Sequence, residues 1–254
     1  MKLLFRFVVG ISFVTLSPAA LNALQNNLCG IHLRHQAEVL HQYVDSHSGH
    51  HTVCQTKFGL TTTLAELGDA NIVNGIPTIH LDSMQGKNET NLVHELYHLK
   101  LDVDGLDLTG MRFFFPQTQR TKEITLGGAQ GGTFILNELS SYMQHRLFYK
   151  DMEAMGLHPY AELNSEMLSD IQKKTTPPLA RDLPEILAVR LLPVLDEPLA
   201  IQQPIETWYI KMGWIRQLDA AKQIHQFVKR RNPTTKASIS DAITKSLAIL
   251  FPLM

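Results

Sequence analysis

Two histidines and a glutamate are spaced in a way that could hold a metal ion and activate water. His94 and His98 are four residues apart, and Glu95 directly follows His94. A helix places residues i and i+4 on one face, one turn apart, so both imidazoles could bind one Zn²⁺. Glu95 projects about 100° around the helix from His94 and could reach a water near the ion without being a ligand.

The elements predicted around these residues are a helix, two strands and a second helix. Apolar residues at helical spacing predict a helix over about residues 29–45, and β-branched residues predict strands at 52–58 and at 72–73 with 77–81. Asn88 is a suitable N-cap for a helix over about 89–101, which carries both histidines. We expect residues 102–132 to be irregular, 134–155 to be helical, and the remainder to be helical segments split by prolines.

The pattern His94-Glu95-x-x-His98 and this order of elements resemble the zincin metallopeptidases. The resemblance implies an α+β fold with a backing helix, a small mixed sheet and an active-site helix, followed by a mainly helical C-terminal part. It implies that His94 and His98 are Zn²⁺ ligands and that Glu95 is the general base and proton shuttle. It also implies that the strand Ile76–Asp82 binds the substrate backbone.

A catalytic zinc needs a third protein ligand, and the sequence offers two candidates. The pattern Asn-Glu-x-x-Ser around Glu138 resembles the downstream motif of the gluzincin branch and implies that Glu138 is the ligand, although Tyr142 stands where that family has an aspartate. Asp104 lies at the metzincin spacing, but Leu101 replaces the glycine that allows the chain to turn there. We expect Glu138 to be the ligand, with His80 as the next residue to test.

One face of the helix at 134–155 carries further polar side chains. Glu138, Tyr142, His145 and Tyr149 recur at i, i+4, i+7 and i+11, so they share that face. If Glu138 faces the metal, Tyr142 or His145 could act catalytically by donating a hydrogen bond to the oxyanion. The alternative is that Tyr142 is a half-buried aromatic and His145 is solvated.

Two other polar segments are better explained without a metal. Residues 102–107 resemble the start of a calcium loop but lack its full spacing and its terminal glutamate. His47, His50 and His51 lie in a polar segment that predicts a flexible loop.

The N-terminal residues predict export. Residues 1–23 combine a basic start, a short apolar stretch and small residues at the end, which is typical of a signal peptide. The mature chain should have no membrane span and should be secreted or periplasmic. Cys29 and Cys54 are the only cysteines, so in an oxidising compartment they could form one disulfide, with two buried thiols as the alternative.

Composition and charge exclude several classes of protein. The 254 residues include 23 Lys and Arg against 24 Asp and Glu, a balance that removes the electrostatic argument for nucleic-acid binding. Charged residues make up 19%, too few for disorder by self-repulsion. We expect a catalytic domain over 24–155 and a helical subdomain over 156–254. The sequence gives no indication of the oligomeric state.

The sequence predicts an exported zinc metallopeptidase that hydrolyses peptide bonds in a peptide or protein substrate. An alternative is a catalytically inactive zinc-binding homologue that serves as a binding or assembly module. A second alternative is a helical interaction protein whose partner surface includes Trp208 and Trp214.

Overall fold

The structure is a computed structural model, and it describes most of the chain after residue 26. The described residues are 27–57, 68–83, 87–108, 111–116, 121–125, 132–158, 167–169, 171, 173 and 185–253. The predicted signal peptide, residues 1–23, lies outside them. The fold is mixed α+β with small sheets and a helical C-terminal part, so the predicted fold class is confirmed at this level.

In the described residues of its first half, the chain alternates short strands with three helices. In chain order its elements are β1 (Asn27–Leu28), β2 (Ile31–His32), α1 (His35–Ser48), β3 (Val53–Lys57), β4 (Gly68–Val73), β5 (Ile76–Asp82), α2 (Glu89–Val103), β6 (Arg112–Pro116), β7 (Thr121–Thr125) and α3 (Gly132–Ala154).

The C-terminal part is helical in every described segment. Its elements are α4 (Glu185–Leu191), a 3-10 turn (Pro193–Asp196), α5 (Leu199–Lys211), α6 (Ile215–Arg231), α7 (Lys236–Leu250) and a final 3-10 turn (Phe251–Leu253). Pro204 lies inside α5, so the prediction that prolines separate the helices is wrong at this position. A proline inside a helix removes one backbone hydrogen bond but does not always end the helix.

Three strands form a small mixed sheet that supports α2. The strand order is β3-β5-β4, with β3 parallel and β4 antiparallel to the central strand β5. Both backbone edges of β5 are hydrogen-bonded, so the prediction that Ile76–Asp82 binds a substrate backbone is wrong. In the described part of the sheet, the edge strand against which α2 packs is β4, Gly68–Val73.

A tight turn sets the pairing of β4 with β5. Asn74 and Gly75 connect the two strands with φ angles of 52° and 83°. Positive φ at both central residues is the requirement of a type I′ hairpin turn, which Asn-Gly satisfies at little steric cost. The turn fixes the register in which Gly68 lies opposite Leu81.

The predicted helix around His94 and His98 is confirmed as α2. The Asn88 side chain accepts a hydrogen bond from the backbone N–H of Asn91 at 2.9 Å, as expected for an N-cap. The apolar side of the helix is fully buried in the core through Leu92, Val93, Leu96 and Leu99.

A hairpin of β6 and β7 lies within residues 102–132, which we expected to be irregular. The two strands pair antiparallel, with Phe113 opposite Ile124. The run Phe113-Phe114-Phe115 is the apolar, aromatic sequence that favours a strand. The Asp-Gly and Gly-Gly pairs in the same segment favour turns, and this is why the sequence predicts irregular structure there.

Helix α3 belongs to both hydrophobic cores of the molecule. Its first half, including Leu136 and Met143, packs with the C-terminal helices. Its second half, including Phe148 and Met152, packs with α1, α2 and the sheet. The two cores therefore meet along α3 and at Leu106, which packs against both.

A disulfide joins Cys29 to Cys54, so the predicted pairing is confirmed. The Cα atoms are 5.3 Å apart, within the range that a disulfide requires. The bond links the segment before α1 to β3 and is consistent with a chain that folds in an oxidising, extracellular-type environment. Within the described part of the chain, no helix combines the length and hydropathy of a membrane span.

Asp102, near the end of α2, has a strongly shifted carboxyl group. Burial raises its pKa to about 7, with a further increase from Asp107 and an opposing effect from Lys236. A carboxyl whose folded pKa is raised binds more protons in the folded than in the unfolded state at intermediate pH. The contribution of the Asp102 carboxyl to the free energy of unfolding therefore decreases as pH rises from about 4 to about 7.

We expect Asp102→Asn to stabilise the fold at about pH 8 and to have little effect at about pH 4. Asn removes the buried charge, which exists only above the raised pKa. Urea midpoints at the two pH values test this. Asp104→Asn is the matched control. Burial tends to raise the pKa of Asp104, but hydrogen bonds from Lys100 and Tyr43 lower it overall. This variant should therefore show no increase in its urea midpoint at the higher pH. Equal midpoints for Asp102→Asn and wild type at about pH 8 would contradict the prediction.

Candidate functional site

Three imidazole nitrogens meet between α2 and α3. The Nε2 atoms of His94 and His98 are 3.2 Å apart, those of His94 and His145 are 2.8 Å apart, and those of His98 and His145 are 3.3 Å apart. Among the described residues, these three histidines form a group of side-chain donors close enough to hold one metal ion.

The spacing of the three nitrogens fits a tetrahedral ion. Zinc binds imidazole nitrogen at about 2.0–2.1 Å, so two ligands at a tetrahedral angle lie about 3.3 Å apart. The observed separations of 2.8–3.3 Å approach that value. All three residues present Nε2, which leaves each Nδ1 for a second partner, as is usual in metal-binding histidines.

Glu95 lies beside the three histidines but outside the group of nitrogens. Its carboxylate is buried, and Oε1 is 3.4 Å from Nδ1 of His94. The helix directs Glu95 toward the sheet, where it contacts Gly68 of β4. The carboxylate is therefore placed between the edge strand and the first histidine.

Arg34 holds α2 and α3 in their relative positions. Its backbone N–H and its guanidinium donate hydrogen bonds to the carboxylate of Glu89, the first residue of α2, at 2.7–2.9 Å. The same guanidinium donates to the carbonyl of Met155, directly after α3. One side chain thus connects the start of one ligand helix to the end of the other.

Aromatic side chains form an apolar support beneath the three imidazoles. The ring centroid of Phe148 lies 5.4–5.7 Å from those of the three histidines, and Phe148 stacks on Tyr97 at 4.9 Å. Both aromatic residues are buried. Their packing limits the rotation of the imidazoles, which favours a preorganised site.

Burial keeps two of the imidazoles neutral. Burial lowers the pKa of His98 to about 4, with a smaller contribution from His94, and it lowers the pKa of His145 well below its usual range. A histidine must be deprotonated to bind a metal. At neutral pH these two side chains are therefore ready to act as ligands without first losing a proton.

Comparisons with protein-family models, curated proteins and solved structures found no match to this chain. The role of the site is therefore argued from its own geometry.

The structure brings His145, and not Glu138, into the group of donors. Glu138 lies two turns before His145 on α3, and its predicted role as a ligand stays a prediction. His145 was expected as a catalytic hydrogen-bond donor, and its Nε2 instead lies with those of His94 and His98. The sequence alone could have identified His145 as a candidate ligand, because it is a histidine on the face of α3 that we assign to the metal.

Tyr142 takes part in a different cluster. Its hydroxyl lies 2.9 Å from Nδ1 of His225 and accepts a hydrogen bond from Arg146 at 3.3 Å. Arg146 also binds Asp196, so this partly exposed group connects α3 to α6 and to the 3-10 turn. The geometry gives Tyr142 a packing role between α3 and the C-terminal helices.

Tyr149 is the aromatic hydroxyl residue beside the histidines. Its ring stacks on that of His145, with centroids 4.4 Å apart and an angle of 13° between the planes. Burial raises the pKa of Tyr149 well above 10, and the carboxylates of Glu95 and Glu138 raise it further. Its phenol is therefore protonated at neutral pH, near the buried carboxylate.

The other candidate ligands have different partners. Asp104 accepts hydrogen bonds from Tyr43 at 2.7 Å and from Lys100 at 2.5 Å, and Nδ1 of His80 lies 2.7 Å from a carboxylate oxygen of Asp69. Nδ1 of His51 lies 2.8 Å from an oxygen of Asp45, a contact that fixes the end of α1 against the next segment.

We expect His145→Ala to weaken Zn²⁺ binding by at least about 10–100-fold, whereas Glu138→Ala should bind Zn²⁺ like wild type. Loss of His145 removes one of the three converging nitrogens, and loss of Glu138 leaves all three. Competition with a chromophoric chelator measures both affinities. Tight binding by His145→Ala together with loss of zinc from Glu138→Ala would instead identify the glutamate as the ligand.

Proposed function

We propose that the chain is a zinc-dependent peptidase of the zincin type, with His94, His98 and His145 as the metal ligands and Glu95 as the general base. The observation that carries the proposal is the group of three Nε2 atoms 2.8–3.3 Å apart, with a buried carboxylate 3.4 Å from the first imidazole. Three protein ligands leave a fourth tetrahedral position for water or substrate, which is typical of catalytic zinc sites.

A bound Zn²⁺ would act as a Lewis acid on the scissile carbonyl and lower the pKa of a water molecule. Glu95 would accept the proton of the attacking water and deliver it to the leaving amine. Its burial between His94 and β4 supports this role, because it keeps the carboxylate beside the first ligand residue and against the proposed substrate strand.

The substrate is proposed to be an extended peptide paired with β4. Among the strands that the structure describes, β4 is an edge of the sheet, and Gly68 at its start lies against the Glu95 carboxylate. Addition of a peptide strand to a sheet edge supplies backbone hydrogen bonds, so affinity requires no particular side chain. A peptide bound there would pass beside Glu95, and β4 thus replaces β5 in the role expected from the sequence.

Tyr149 is proposed to donate a hydrogen bond to the developing oxyanion. Its phenol remains protonated because burial and two nearby carboxylates raise its pKa. Its stacking on His145 holds the ring beside the ligands. This assigns to Tyr149 the role that the sequence had suggested for Tyr142, whose hydroxyl is engaged by His225 and Arg146.

We expect Glu95→Gln to retain one Zn²⁺ per chain and to lose about 10²–10⁴-fold in kcat on a generic peptide substrate. Gln has nearly the same shape as Glu but cannot accept and release the proton. Zinc content and turnover of the purified protein test the two statements separately. Glu153→Gln, an exposed glutamate near the end of α3, is the matched control and should have wild-type turnover.

Wild-type turnover by Glu95→Gln would exclude Glu95 as the base. Stoichiometric zinc in a wild-type protein that hydrolyses no peptide would instead favour the inactive zinc-binding module.

A further inference from the structure

On the sheet side, the Glu95 side chain lies against Gly68 and occupies the space that a side chain at residue 68 would need. A Cβ atom at residue 68 would lie 2.9 Å from Oε1, 3.0 Å from Cγ and 3.1 Å from Cδ of Glu95. Contacts this short involve the stem of the side chain as well as its end. Glu95 would therefore have to move as a whole to accommodate an alanine.

The surroundings leave Glu95 little freedom to move without changing its relation to His94. The residue is 5% exposed, and its Oε1 is the same oxygen that lies 3.4 Å from Nδ1 of His94. Gly68 pairs with Leu81, a fully buried residue of β5. Strand β4 therefore cannot move away from α2 without disturbing the packing of the core.

Backbone conformation does not account for the glycine. Gly68 does not have one of the positive φ angles found at Gly30, Gly75 and other glycines of the chain. A glycine inside a strand weakens the strand, and one established reason for its presence is the close approach of another group. Here that group is the carboxylate of Glu95.

We propose that Gly68 is a positioning residue for Glu95, which it allows to lie between β4 and His94 where the general base is needed. The inference rests on the proposed function for its catalytic meaning, and its structural part can be tested without turnover. Gly68 acts only through Glu95, so its replacement should affect the carboxylate and leave the three ligand nitrogens in place.

The experiment is a double-mutant cycle on the zinc-loaded protein with Gly68→Ala, Glu95→Ala and the double variant. We expect Gly68→Ala to lower the urea midpoint in the wild-type background and to lower it far less when Glu95 is already Ala, because the side chain that the new Cβ meets is then absent. Ala70→Gly, a change of the same size two residues along the same strand face, should have the same effect in both backgrounds.

Activity supplies the second measurement. We expect Gly68→Ala to retain its zinc and to lose about 100-fold in kcat with little change in KM, since a displacement of about 1 Å of a catalytic group costs that much. A merely structural role would lower the urea midpoint without this separation of kcat from KM.

An equal loss of stability from Gly68→Ala in both backgrounds, or wild-type kcat in Gly68→Ala, would overturn the proposal. If the wild-type chain hydrolyses no peptide, the proposed function fails, and the stability cycle still decides whether Gly68 positions Glu95.

Discussion

The convergence of three imidazole nitrogens within 3.3 Å of one another is the constraint that the rest of the structure serves. Two of them come from one helix and follow from the i, i+4 spacing, but the third comes from α3, which begins more than thirty residues after His98. The site therefore exists only if α2 and α3 are held in one relative position. Neutral imidazoles tolerate this proximity, and burial keeps His98 and His145 neutral.

Several independent contacts impose that position. Arg34 connects the first residue of α2 to the residue after α3, and the Asn88 cap fixes where α2 begins. Phe148 packs against all three histidines, and α3 continues into the helical core on the other side. The C-terminal helices thus contribute to the site indirectly, because they bury the first half of the helix that carries His145.

The local part of the site could be predicted from sequence, and the non-local part could not. The positions of His94, Glu95 and His98 follow from helical periodicity and an N-cap, and residues close together in the sequence determine both features. Glu138 and His145 share one face of α3, so the choice between them depends on which turn of α3 lies opposite His94 and His98. Contacts distant in sequence, such as those of Arg34 and Phe148, set this position. The identity of the edge strand likewise depends on sheet order, which periodicity within Ile76–Asp82 does not encode.

The most direct test of the account is zinc K-edge X-ray absorption on the purified, zinc-loaded chain and on His145→Ala. The account predicts three imidazole nitrogens at about 2.0–2.1 Å from the metal in the wild-type chain, with one imidazole fewer in the variant. A wild-type spectrum with only two imidazoles, unchanged in His145→Ala, would contradict the assignment of His94, His98 and His145 as the metal site.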